Sequence, residues 1–325
     1  MTILVSVHSP FEMWTIPVEF VERLRARFPG HTFLHARSDD EALGLVGKAG
    51  VLFAGQVSKQ LFAAASQLRW LHSPAAGIGG MLFPDLVSSA VVLTNGRGMS
   101  ANTIAEHVLA VTLAHFRRLP HAFRSQLRGE WAQDAISAAG NRTIAGSRVL
   151  VLGLGGIGRA VAARMTLLGA EVTGLRRSAA ETTTGELTVA PASRLHALLP
   201  GADVVVVAAP HTRLTRGIIG REELSLMSRD AILVNVSRGQ LIDEQALIGA
   251  LRAGSIAAAA LDVFVDEPLP PESPFWALPN VIITPHTSGL RPDHWAAATD
   301  LFAENIRRFD AREPLLNVVD KIQGY

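Results

Sequence analysis

Two α/β domains, each a doubly wound parallel sheet with helices on both faces, are the fold this sequence predicts. Short apolar runs alternate with amphipathic stretches along almost the whole chain, which is the signature of strand–helix repetition. Several runs, DVVVVAAP above all, are apolar at successive positions, as strands buried on both faces must be. The length, 325 residues, exceeds what one hydrophobic core usually holds.

The first series runs from Thr2 to about Gly98. TILVSV is followed by an amphipathic stretch over 17–28, then HTFLH, a helix pattern from Asp39, GVLFAG, a helix pattern from Ser58, RWLHS and AVVLTN. A long helix is predicted from Asn102 to about Leu119, closed by Pro120. It is apolar around much of its circumference through Ile104, Ala105, Val108, Leu109, Val111 and Leu113. Such a helix buries more than one face, and suits a domain connection or a subunit interface. The second series starts at Ser147: RVLVLG, a helix to Leu168, EVTGL, DVVVVAAP, a helix over 222–227, AILVNV, a helix over 243–253, IAAAALD and VIITP. A last amphipathic helix covers about 293–309.

Composition narrows the classes. With 48% apolar residues and a formal net charge of +1, the chain is a packed globular protein with no basic stripe for nucleic acid. It has no cysteine, which excludes disulfide and thiolate chemistry and fits a reducing cytosol. The N-terminal run lacks a basic leader and reads as a buried strand. No apolar run approaches the roughly 20 residues of a membrane span. The expectation is a soluble, cytoplasmic protein that engages neither membrane nor nucleic acid.

One glycine cluster has the context of a dinucleotide site. Gly153, Gly155 and Gly158 form GxGxxG, with Gly156 and Ile157 between them, directly after a strand and at the start of a helix. In this Rossmann unit the first glycine allows the tight turn and the second lets backbone approach a pyrophosphate. The third lets helix and strand pack closely, and the helix N-terminus favours the anion. An NAD site usually carries Asp or Glu at the end of the next strand. Here that strand ends in Arg176, Arg177 and Ser178, which would attract a 2′-phosphate. Opposite charges about 4 Å apart are worth up to ~4 kcal/mol at a surface-like dielectric, so the expectation is NADP(H) over NAD(H).

Three polar clusters end three later strands: Ser237-Arg238-Gly239, Asp266-Glu267-Pro268 and His286-Thr287-Ser288-Gly289. In a parallel sheet those ends share one edge, where ligands bind. Arg238 can grip a carboxylate through two parallel hydrogen bonds. His286 can move a proton, and Glu267 can support its charged form. Each has a plain alternative on its own. Arg238 could pair with Asp243 or Glu244, Glu267 could be a solvated acid in a Pro-rich turn, and His286 is one of eleven histidines. His107 and His115, on the long helix, read as packing or surface residues. The ordered trio favours a site.

With these residues on the page the chain resembles the D-isomer-specific 2-hydroxyacid dehydrogenases. The likeness lies in AEHVLA at 105–110, the GLGGIG turn, AAPHTRLTRGIIG at 208–220, NVSRGQLIDEQAL at 235–247, ALDVFVDEPLP at 260–270 and TPHTSG at 284–289. It spans essentially the whole chain. The strand-end arginines, Arg291-Pro292 and the ending NVVDKIQGY look like the glyoxylate/hydroxypyruvate reductase branch. The resemblance implies a flavodoxin-like substrate-binding domain, 1–98 with 290–325, and an inserted Rossmann domain, 99–289. It implies that Arg238 binds the carboxylate and carbonyl of a short 2-oxo acid, His286 is the acid/base and Glu267 pairs with it. The loop from His72 to Gly77 would hold the carboxylate through backbone N–H groups at Ala75, Ala76 and Gly77. Pro210, Thr215, Val236, Asp262 and Gly289 would line the cofactor, Asp262 near the nicotinamide. A homodimer is implied as well. Two other readings stand beside this reductase: a non-catalytic protein of the same fold that senses dinucleotide, and an NAD-linked dehydrogenase of the phosphoglycerate type. The latter often carries a C-terminal regulatory domain, for which the chain has no room after Phe309.

Overall fold

The first series of apolar runs forms one sheet and the second series another, in a computed structural model that describes residues 1–177, 180–185 and 187–324. The chain divides into two units, Met1–Met99 with Arg291–Tyr325, and Ser100–Leu290. In the first, β1 (Thr2–Ser6), β2 (Thr32–His35), β3 (Val51–Ala54), β4 (Trp70–Ser73) and β5 (Val92–Asn95) lie in the order β2-β1-β3-β4-β5. Every pair is parallel. This is the flavodoxin-like order. Successive side chains of a strand face opposite ways, and both faces here are covered. Ile3, Val5, Phe53 and Trp70 pack with Val21, Leu24, Phe302 and Ile306 on one face. Leu4, Leu52 and Leu71 pack with Ala42, Val46, Leu61 and Leu86 on the other. Each valine, leucine, isoleucine or phenylalanine among them is worth about 1.5–3 kcal/mol when fully buried.

The second unit holds, among the described residues, β6 (Arg148–Leu152), β7 (Glu171–Arg176), β8 (Thr182–Thr184), β9 (Leu187–Pro191), β10 (Val204–Val207), β11 (Ile232–Asn235), β12 (Ala258–Leu261) and β13 (Val281–Ile283). Their order is β13-β12-β11-β10-β6-β7-β9-β8. From β6 the sheet grows first through β7 and β9, then back through β10 to β13, so its switch point lies between β6 and β10. All pairs are parallel except the outermost, β8 on β9. That edge hairpin escapes the sequence pattern, because Thr182, Thr183 and Thr184 are all exposed and polar. The four valines of β10 are fully buried, as the unbroken apolar run requires.

The helix expected over 102–119 is two helices. The first is Ala101–Phe116 and the second Leu119–Leu127, with Arg118 between them at φ 58°. Pro120 therefore does not close a helix. It sits in the first turn of the next one, where its missing N–H leaves no bond unmade. The first helix buries Ala105, Val108, Val111 and Phe116 against the sheet and the helix Gly156–Leu167. Among the described residues no helix is long and apolar enough to cross a membrane.

Candidate active site

Because β11, β12 and β13 are adjacent and parallel, the residues that follow them emerge on one edge. Gly239 lets the first two turns meet: a Cβ there would lie 2.0 Å from the Phe264 carbonyl carbon and 2.2 Å from the Val265 nitrogen. Glu267 folds back so that its Oε1 accepts the Phe264 N–H at 2.9 Å. Its Oε2 lies 2.7 Å from His286 Nδ1. Both side chains are partly open, at 34% and 45% exposure for Glu267 and His286, so proton exchange with a ligand is sterically possible. Burial opposes ionisation of Glu267, but the hydrogen bonds from His286 and Phe264 and the nearby His286 and Arg238 charges outweigh it. They hold its carboxyl below the usual range. An ionised carboxylate only accepts, so Nδ1 donates and Nε2 is the ring atom left for a ligand.

His286 itself is in the left-handed region, φ 54°, which costs a non-glycine residue about 1–3 kcal/mol. Its N–H bonds the Asp262 and Thr284 carbonyls at 2.9 and 3.0 Å. The Asp262 carboxylate, 1% exposed, accepts from the Thr284 hydroxyl and from the Thr287 and Ser288 N–H groups. Asp262, expected from the sequence as a cofactor neighbour, is the hydrogen-bond hub of this turn. Its only sequence signal is a lone acid where an apolar strand ends.

Arg238 is partly buried. Its Nη1 donates to the Ser237 carbonyl at 2.6 Å, and its own carbonyl accepts from Asn235 Nδ2 at 3.0 Å. Asp243 caps the next helix, accepting from the Ala246 N–H, and Glu244 accepts from the Val265 N–H. Neither pairs with Arg238. Burial draws the guanidinium pKa below its ordinary value and Glu267 opposes the shift; the group stays cationic. His211, in the turn after β10, was not anticipated. Burial and then the charges of Arg216 and Arg238 lower its pKa, so it adds a neutral imidazole near Arg238.

The glycine turn lies on the same edge, after β6. Gly153 has φ 98°, and a Cβ on it would meet Ala209 Cα at 2.7 Å. A Cβ on Gly158 would fall 1.8 Å from the Gly153 carbonyl oxygen. Gly155, by contrast, faces open space, with nothing within 4 Å of a Cβ. Gly156 and Ile157 begin the twelve-residue helix Gly156–Leu167, whose first N–H groups have no intrahelical partner. Two glycines pressed on backbone and one open beside a helix N-terminus fit a pyrophosphate. Arg176 and Arg177 are exposed at the end of β7, and Ser178 lies outside the described residues.

The remaining expected positions are mixed. Pro210 is exposed, and its carbonyl accepts from the Thr215 hydroxyl at 2.6 Å, bracing that turn. Val236 is 5% exposed, beneath the edge. Gly289 packs on the helix Ala101–Phe116, 3.6 Å from Ser100 Cβ when given a Cβ of its own. Ala75, Ala76 and Gly77 belong to the other unit and are exposed after β4. The Ala75 N–H already bonds Ser73 Oγ at 3.2 Å, whereas the N–H groups of Ala76 and Gly77 have no partner among the described residues. His72 and Ser73 are not loop residues at all: both are fully buried in β4.

A parallel sheet with a glycine turn at its switch point, and an Arg, Glu, His trio along the same edge, defines an NAD(P)-binding oxidoreductase. The family profile of the D-isomer specific 2-hydroxyacid dehydrogenase NAD binding domain matches residues 109–288. The chain belongs to that family. A D-isomer specific 2-hydroxyacid dehydrogenase of Xanthobacter autotrophicus, solved with NADPH, is similar with 33% identity and a TM-score of 0.86 over 100% of this chain and 99% of that one. The NADPH-dependent glyoxylate/hydroxypyruvate reductase of Sinorhizobium meliloti is similar with 27% identity and a TM-score of 0.86 over the same shares. A D-3-phosphoglycerate dehydrogenase of Methanocaldococcus jannaschii is 33% identical over 265 residues, 82% of this chain. This chain spans half of that relative's length.

Proposed function

We propose that the protein reduces a short 2-oxo acid, of the glyoxylate or hydroxypyruvate kind, to the D-2-hydroxy acid, with NADPH preferred over NADH. The observation that carries this reading is the 2.7 Å His286–Glu267 pair beside Arg238, on the sheet edge that also bears the glycine turn. The 153–158 turn would hold the pyrophosphate of the dinucleotide, and Arg176 and Arg177 a 2′-phosphate. When bound, the reduced dinucleotide supplies a hydride to the carbonyl carbon. Arg238 grips the carboxylate with its planar fork and stabilises the carbonyl oxygen as negative charge develops. Protonated His286 gives its Nε2 proton to that oxygen, and Glu267 balances the imidazolium beforehand. The unit Met1–Met99 with Arg291–Tyr325 would serve as the substrate-binding domain, its exposed Ala76 and Gly77 N–H groups free to receive an anion.

Similarity to NADPH-bound relatives and the two arginines support the cofactor preference. A homodimer is supported by an apolar stripe on the helix Leu119–Leu127 and just beyond it. Leu119, Phe123, Leu127 and Trp131 recur every fourth residue and are 38%, 57%, 88% and 91% exposed. Sedimentation velocity reads that state directly. The similarity to phosphoglycerate dehydrogenase favours a second reading, NAD-linked oxidation of 3-phosphoglycerate. One experiment separates the two: kcat/KM for glyoxylate, hydroxypyruvate, pyruvate, phenylpyruvate and 3-phosphoglycerate with both cofactors. The expected result is highest efficiency for glyoxylate or hydroxypyruvate with NADPH, inverted towards NADH in Arg176→Asp. A wild-type preference for NADH sinks the cofactor reading.

A further inference from the structure

We infer that His107 and Thr284 form a positioning relay that, through Asp262, holds His286 in its left-handed conformation. The inference rests on the proposed acid/base role of His286. The turn that carries this residue is fixed at both sides by one carboxylate. Asp262 Oδ1 accepts the Thr284 hydroxyl at 2.6 Å and the Thr287 N–H at 2.9 Å, and the Ser288 N–H lies 3.1 Å from each of its oxygens. The Asp262 main-chain carbonyl takes the His286 N–H at 2.9 Å. Thr284 has one hydroxyl proton, and Asp262, an acceptor only, takes it. The Thr284 oxygen can then only accept from a further partner. That partner is His107 Nε2, 3.4 Å away, so the half-buried imidazole presents Nε2–H and the chain of donors runs His107 to Thr284 to Asp262.

The helix behind this chain supports the same turn at its other end. Ser100, at the N-cap of Ala101–Phe116, and Ile104 lie 3.6 and 3.8 Å from where a Gly289 Cβ would stand. Residues 100, 104 and 107 recur at helical spacing and share a face. One helix face thus backs the segment from Thr284 to Gly289. Burial lowers the pKa of His107, with Asp262 opposing, which suits a neutral donor held in place. His107 and Thr284 act through the backbone that aims His286.

Thr284→Val removes the hydroxyl and keeps the shape. It should lower kcat roughly 10- to 100-fold, the scale of a misplaced reacting group, while cofactor affinity by fluorescence titration stays at the wild-type level. Thr284→Ser should recover most of the lost turnover. His107→Phe should lower kcat less than Thr284→Val, and His107→Gln, which keeps an N–H donor, should restore it. Unchanged kcat in Thr284→Val overturns the relay, as does a Thr284→Ser enzyme as slow as the valine variant. His286→Ala in the same assays separates the layers. Wild-type turnover there removes the acid/base reading itself, whereas an inactive His286→Ala beside a fully active Thr284→Val removes only the relay.

Discussion

His72 and His286 both stand at the carboxyl end of a parallel strand, one in each sheet, and their surroundings differ in nearly every respect. His72 is fully buried in β4, stacked on Phe302 with ring centres 5.2 Å apart and bonded through Nδ1 to the Thr94 hydroxyl at 2.7 Å. Among the described residues no carboxylate compensates it and its Nε2 has no partner, and burial pushes its pKa down to about 3. His286 follows β13, is nearly half exposed, and has Glu267 on one ring nitrogen. An imidazole becomes a proton carrier where both charge states are tolerated and one nitrogen is left to a ligand. The eight-stranded sheet leaves His286 partly open beside a carboxylate, and the five-stranded sheet uses His72 as packing.

The largest test of this contrast is His286→Ala, which should lower turnover by ~10² to 10⁴-fold, the usual worth of a positioned acid/base. An alanine enzyme with wild-type kcat would reduce His286 to the standing of His72. Arg238→Lys should cost less, roughly 10- to 100-fold in kcat/KM, since a charge-assisted hydrogen bond is worth about 1.5–3 kcal/mol and an ammonium cannot reproduce the fork. Equal efficiency in the lysine enzyme would show that charge alone suffices there. The buried histidines should speak through stability instead. His115, pushed down to about 4 by burial, is bonded to the Ala259 carbonyl and joins His72 as a neutral group. Between their folded values and the ordinary 6.5 the unfolded chain binds more protons. Stability is therefore complete above pH 6.5 and declines as pH falls towards 4, by a few kcal/mol. Melting temperature measured against pH reads it; a flat profile between pH 6.5 and 4 would mean that neither ring is held neutral.

Much of this was legible in the sequence for a physical reason. Strands buried on both faces are written as unbroken apolar runs, so β1, β6, β10 and β11 stand out, and parallel pairing then sends Arg238, Glu267 and His286 to one edge. The glycine turn was equally plain, because Gly153 and Gly158 occupy places where a Cβ would strike backbone. Features set by contacts distant in sequence left no such mark. Pro120 looks like a terminator until Arg118 turns the chain ahead of it. Nothing in RWLHS tells that His72 lies under Phe302. The bonds from Thr284, Thr287 and Ser288 to Asp262 cross more than twenty positions, and an isolated Asp after an apolar run carries no hint of them.

The contact at Gly239 bears on how this enzyme can change over evolutionary time. The turn with the guanidinium and the turn with the carboxylate share one patch of backbone, at 2.0 Å from an added Cβ. A substitution that shifts one drags the other, so neither can be retuned alone. New substrate preferences are then reached most readily through positions outside this pair of turns. Laboratory selection that leaves 235–239 and 262–267 untouched should recover far more active variants than selection that randomises those two turns.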